Sequence, residues 1–207
     1  MSKMQETQLS MPPDHPIIPR ERVGVLLINL GTPDATDFWS IRRYLKEFLS
    51  DRRVIDVNPI FWKLLLNLVI LNVRPSIAGK AYKEIWVEET DESPLRLHTR
   101  NQSEFLQRMK DEEEDNLVVD WAMRYGNPSI ANKLEMMRSK GCRRILLLAL
   151  YPQYSATTTA TAYDKAFDAF SAMRWQPSVR TAPAYPDDAS YITVSYTHLT
   201  LPTNREV

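Results

Sequence analysis

The sequence predicts an α/β fold with a parallel sheet covered on both faces, and three observations carry that prediction. Apolar runs of strand length, "RVGVLLINL", "NLVVDWAMRY" and "RRILLLAL", recur along the chain. Each is followed by a stretch whose apolar residues have helical spacing. The first and last of these runs are continuous rather than alternating, as in strands buried on both sides.

Taken in order, the first run spans Arg22 to Pro33 and breaks into turn chemistry after Gly31. "DATDFWSIRRYLKEFLSD" then sets Phe38, Ile41, Leu45 and Phe48 with Leu49 on one helical face, with Thr36 or Asp37 as N-cap. "FWKLLLNLVILNV", Phe61 to Val73, reads as a helix apolar nearly all round, and Pro75 as the start of the segment that continues through "SIAGKAYKEIW". Ser93 is a cap and Pro94 a first helical position for "SPLRLHTRNQSEFLQRMKDEEE". "PSIANKLEMMRSKG" is a helix closed by Gly141, a further helix runs from about Thr157 to Met173, and "PSVRTAPAYP" supplies a last strand.

Composition narrows the function classes. The 207 residues carry 26 basic and 26 acidic side chains, so no global field favours nucleic acid or an anionic membrane. A single cysteine, Cys142, excludes a disulfide framework, a structural zinc and an iron–sulfur cluster, and fits a reducing compartment. The first 20 residues lack the apolar core of a signal peptide and the Arg-rich character of a presequence, and read as a loose arm. The 13 residues from Phe61 to Val73, interrupted by Lys63, fall short of the roughly 20 needed to span a bilayer. A soluble, cytoplasmic protein is the expectation. That apolar helix has three readings: core, the lip of a cleft, or a surface dipping into a membrane interface. "KDEEED", Lys110 to Asp115, is a solvated helix end rather than an iron-delivery site.

Parallel sheets bind ligands at the carboxyl ends of their strands. Three such ends carry unusual residues: "NLGTP" at Asn29 to Pro33, "MRYGNP" at Met123 to Pro128, and "YPQYSATT" at Tyr151 to Thr158. With "RPSIAGKAY" and "SPL" between them, these motifs in this order resemble the ferrochelatases, which insert ferrous iron into protoporphyrin IX. The likeness covers about Val23 to Ile192. It implies a chelatase-like fold of two similar parallel-sheet halves flanked by helices, with the porphyrin between them. On that scheme residues 1–21 are an arm, 22–150 the first half, 151–194 the start of a truncated second half, and 195–207 a tail foreign to the family.

The resemblance also implies roles. Asn29 and Leu30 would floor the pocket, Arg74, Tyr82 and Ser93 would line it, and Arg124, Tyr125, Tyr154 and Ser155 would complete its wall. The helix at residues 61–73 would form a lip. A porphyrin is an apolar plate with two propionates, so apolar and aromatic walls with a few cationic or hydroxyl donors suit it. Metal insertion also releases two pyrrole protons, which requires a general base; in this family that base is a histidine helped by an acidic residue.

The chain departs from the family in two places. Ala156 stands where cluster-bearing ferrochelatases have a cysteine, so no iron–sulfur cluster is expected. "SYTHLTLP", Ser195 to Pro202, imitates the family's S-x-H-x-x-P motif, but Pro202 comes one residue late and the preceding helix and strand are missing. Its Thr- and Pro-rich content does not suggest a continuing helix. His15 and His98 are incidental, so no catalytic residue is assigned and the chain is expected to be inactive as it stands. A porphyrin- or haem-binding module without chemistry is the first rival. A nucleotide-binding domain is the second, disfavoured because "GTP" at Gly31 to Pro33 is no Gly-rich phosphate loop. Proto- versus coproporphyrin, metal preference and oligomeric state stay open.

Overall fold

The computed structural model describes residues 21–111 and 116–200. The elements are β1 (Arg22–Gly31), α1 (Phe38–Leu49), α2 (Pro59–Leu65), a π-helical turn (Leu66–Ile70), α3 (Leu71–Glu84), α4 (Pro94–Asp111), β2 (Leu117–Tyr125), α5 (Ile130–Ser139) and β3 (Cys142–Ala149). A second π-helical turn (Ala156–Ala160), α6 (Thr161–Ala172), β4 (Ser178–Thr181) and α7 (Ala189–Thr200) complete them. Apart from Glu21, the expected arm, with His15, lies outside the described residues, as does most of the acidic run at 110–115.

The strands form one four-stranded sheet in the order β2-β1-β3-β4, every pair parallel. Continuous apolarity in β1 has the expected consequence: Leu26, Leu27 and Ile28 are all buried, although successive side chains point to opposite faces. Leu26 and Ile28 join Leu134, Met137, Leu147 and Phe170 in a core beneath α5 and α6. On the other face α4 packs along β2 and β1. Each such apolar side chain contributes about 2 kcal/mol of burial. The core and the sheet both run through the boundary expected after Leu150: β4 pairs with β3, and Ala162, Ala166 and Phe170 of α6 share the cluster of β1 and β3. Residues 151–181 therefore complete the first sheet rather than begin a second one.

A second cluster lies beyond the strand ends. Asp37 caps α1 by accepting from the amides of Trp39 and Ser40, and Ile41, Tyr44, Leu45 and Leu49 pack with Leu66, Leu71 and Tyr125. α2, the π-helical turn and α3 form one continuous helix of 26 residues, Pro59–Glu84. Pro75 sits inside it, contrary to the expectation that it starts a helix. Its missing N–H would orphan the carbonyl of Leu71, four residues back, but Arg42 Nε of α1 donates to that oxygen at 3.1 Å. Gly79 brings the backbones together, since a Cβ there would lie 2.8 Å from the Thr36 carbonyl oxygen.

Arg42→Ala should therefore cost about 2 kcal/mol, the penalty of an unsatisfied buried carbonyl. In a Pro75→Ala background, where residue 75 can donate to Leu71 itself, much of that cost should vanish. Denaturant melts of the four variants check this. Equal losses in both backgrounds would contradict the role given to Arg42.

Because Pro75 does not end it, this helix is longer than the sequence suggested, and by length and composition it could cross a membrane. Its attachment to α1 through Leu66, Leu71, Pro75 and Gly79 lays it along the protein. Its other side faces outward: Ile60, Phe61, Leu64, Leu68, Val73 and Ile77 are exposed. The reading of the helix as core is thereby overturned.

The chain also stays helical across Val194, where a foreign tail was expected to begin and no helix to continue. Asp188 caps the Tyr191 amide, and Thr193 and Thr197 donate to the carbonyls of Ala189 and Thr193, four residues back. The threonines thus satisfy their hydroxyls within the helix instead of breaking it.

Candidate functional site

The strand order reverses at β1, whose neighbours on its two sides are β2 and β3, so the crevice at the carboxyl ends of β1 and β3 is the place for a ligand. Around it the structure gathers a polar hub and an aromatic wall. Asp51, just past α1, is the hub. Its Oδ2 accepts from Arg124 Nη2 at 2.6 Å, from the Tyr125 hydroxyl at 2.8 Å and from the Thr161 hydroxyl. Its Oδ1 accepts from the Arg53 amide at 2.8 Å. Arg124 also donates through Nε to the Thr161 carbonyl and hydroxyl, at 2.9 and 2.8 Å. Glu47 accepts from the Gly126 amide at 3.0 Å. The α1 end, the β2 end and the α6 start are thereby tied to one carboxylate.

The aromatic wall is continuous with the hub. Tyr82 meets Tyr44 edge-on, Tyr44 stacks near Phe48, and Phe48 meets Tyr125 edge-on at 5.1 Å between centroids. The Arg124 guanidinium lies 4.2 Å over the Tyr125 ring. Past β3, the buried hydroxyl of Tyr151 has no partner among the described residues.

The electrostatics suit binding more than proton transfer. Burial pushes Tyr125 up to about 12, and pushes Tyr44 and Tyr151 higher still. These phenols stay protonated and act as donors. Burial alone would raise the Asp51 carboxyl, but hydrogen bonds from Thr161, the Arg53 amide and Tyr125, with the Arg124 charge, hold it below its ordinary value. A carboxylate so fully coordinated is a weak base. Among the described residues no group of three His, Cys, Asp or Glu side chains converges as a metal site.

The family model described as Ferrochelatase matches residues 22–205. The chain belongs to the ferrochelatase family. A ferrochelatase of Rhizobium johnstonii is 57% identical over 182 residues, 87% of this chain and 52% of that protein. One of Agrobacterium fabrum is 54% identical over 188 residues, 90% of this chain and 54% of its own length. The chain spans about half the length of the curated ferrochelatases it matches.

Against this site the residues assigned from ferrochelatase likeness divide. Arg124 and Tyr125 form the hub with Asp51, and Leu30 and Tyr82 pack against the aromatic cluster. Asn29 instead turns to the α4 face, where its Nδ2 donates to Thr99 at 3.0 Å. Ser93 is buried and caps α4 through the Arg96 amide. Arg74 is exposed on α3, with no hydrogen bond or ion pair among the described residues. Ser155 caps the second π-helical turn by accepting from Thr157, and Tyr154 beside it is 65% exposed. Asp51, Thr161, Tyr44 and Glu47 were not assigned from sequence. "FLSDRR" reads as an ordinary solvated helix end, and one threonine in the run after Ser155 does not stand out. The usable signal for Asp51 was its place just past an amphipathic helix whose apolar face had to reach the strand ends.

Proposed function

We propose that this chain carries one wall of a ferrochelatase-type site, where ferrous iron is inserted into protoporphyrin IX to make protohaem. The family match over residues 22–205 supports this reading, as does the Asp51–Arg124–Tyr125 hub beside an aromatic wall. The phenolic rings would contact the macrocycle, while Tyr151 and the outer guanidinium of Arg124 would offer donors toward a propionate or a ring edge. The rigid hub would hold these walls fixed, as bending a macrocycle requires.

No residue of the hub is poised to accept pyrrole protons. His98 is exposed on α4, away from the family's expected base. The chain by itself is therefore proposed to bind porphyrin without inserting iron, and to need no resident cofactor or iron–sulfur cluster. The lone cysteine supports a cytoplasmic location. The outward apolar face of the helix through residues 61–73 supports a lip that also makes weak membrane contact.

Titration of the purified chain with protoporphyrin IX tests the reading: saturable quenching of tyrosine and tryptophan fluorescence is expected. Tyr151→Phe should weaken binding about tenfold, one hydrogen bond's worth, without lowering stability, because its hydroxyl is unpartnered in the free protein. Unchanged emission in a folded sample would contradict the reading.

A further inference from the structure

The groove between the end of α1 and the start of α2 borders the strand-end hub, since Ser50 and Arg52 flank Asp51, but has its own chemistry. It encloses a cavity of about 340 Å³ walled by Ile55, Val57, Trp62 and Leu66. Lys46, Arg52 and Lys63 also line it, and among the described residues no carboxylate does. None of these three cations is paired with an acidic side chain among the described residues. The Trp62 indole is held in place by donating to the Leu49 carbonyl at 2.7 Å. Apolar walls with three unpaired cations and no acid select an anion attached to an apolar body.

The groove is continuous with the exposed face of the long helix. Ile60 and Phe61, 75% and 65% exposed, sit between Pro59 and Trp62, which both line it. A soluble anion would fill the groove but leave Ile60, Phe61, Leu64 and Leu68 in water. A lipid accounts for both features at once: a phosphate against the cations, and acyl chains against the helix. A tryptophan between the two is where an interfacial indole belongs.

We propose that this groove binds the phosphate-bearing headgroup of an anionic phospholipid, seating the apolar face of α2 and α3 in the acyl boundary. The site rests on the membrane contact proposed above and gives it a headgroup preference. Its residues are separate from the Asp51 hub.

The test is co-sedimentation of the full chain with phosphatidylcholine vesicles, with and without phosphatidylglycerol. Binding should favour phosphatidylglycerol and weaken as salt rises. Lys63→Gln and Lys46→Gln should each reduce binding about fivefold. Arg174→Gln, an equal loss of charge at the end of α6 away from the groove, should leave it unchanged. Melting curves identify any variant that is merely unfolded, and the second lysine substitution keeps the test open if the first fails. Equal binding to both vesicle types would overturn the headgroup site while leaving membrane contact standing, and binding to neither would overturn both. Displacement of vesicles by free glycerol 3-phosphate would assign the groove to a soluble phosphate ester and overturn the lipid.

Discussion

Asp51→Ala is expected to destabilise the fold by about 3–5 kcal/mol, the usual cost of leaving a buried charge without its partner. The Arg124 and Asp51 side chains are 11% and 9% exposed, so solvent cannot take over the lost interaction. Glu47, at 3.7 Å from Arg124 and 42% exposed, compensates only weakly. The Tyr125 and Thr161 hydroxyls would lose their acceptor in the same step. Because the folded carboxyl lies below its ordinary value of 3.8, its stabilisation is fully present above that value and lost as pH falls through the lowered one. Asp51→Asn should therefore flatten the acid limb of the stability profile and lower the plateau near neutral pH. Urea melts across pH measure both effects, and an unchanged acid limb would contradict the role of Asp51.

Gly31→Ala is expected to destabilise the chain strongly. Gly31 has φ of 111°, a conformation other residues rarely adopt, and a Cβ there would sit 1.9 Å from the Tyr125 carbonyl oxygen. The obstacle is the backbone of the neighbouring strand, which no rotamer change relieves. About 4 kcal/mol or more is the scale of such conflicts, against a total stability of about 5–15 kcal/mol. Far-UV circular dichroism of the variant checks this, and a melting curve like that of the parent would show that β1 and β2 can separate at their ends.

The sheet was legible because β1 and β3 are continuous apolar runs and several of its helices carry clear caps. Asp37, Ser93 and Ser129 all cap where their residue types suggest. The long helix was misread at Pro75, since proline forbids a local hydrogen bond and nothing local reveals that Arg42, 29 residues behind Leu71, takes up the freed carbonyl. The boundary after Leu150 was misplaced for a similar reason: motif likeness marks ligand-facing loops, whereas domain limits depend on which helix covers which strand. The site was half legible. Arg124 and Tyr125 stand out at a strand end, but Asp51 earns its role only through contacts with residues 73 and 74 positions away. Asn29 and Ser93 have the residue types of site donors, yet their polar atoms are engaged in fastening and capping α4.

The most direct measurement is a map of backbone amide shifts in the isotopically labelled chain as protoporphyrin IX is added. The largest changes should fall on Thr32, Arg124, Tyr125 and Tyr151, at or just past the carboxyl ends of β1, β2 and β3. Changes confined to the cavity of about 750 Å³ between α5 and α6, at Glu135, Arg138 and Trp175, would place the tetrapyrrole elsewhere and contradict the account.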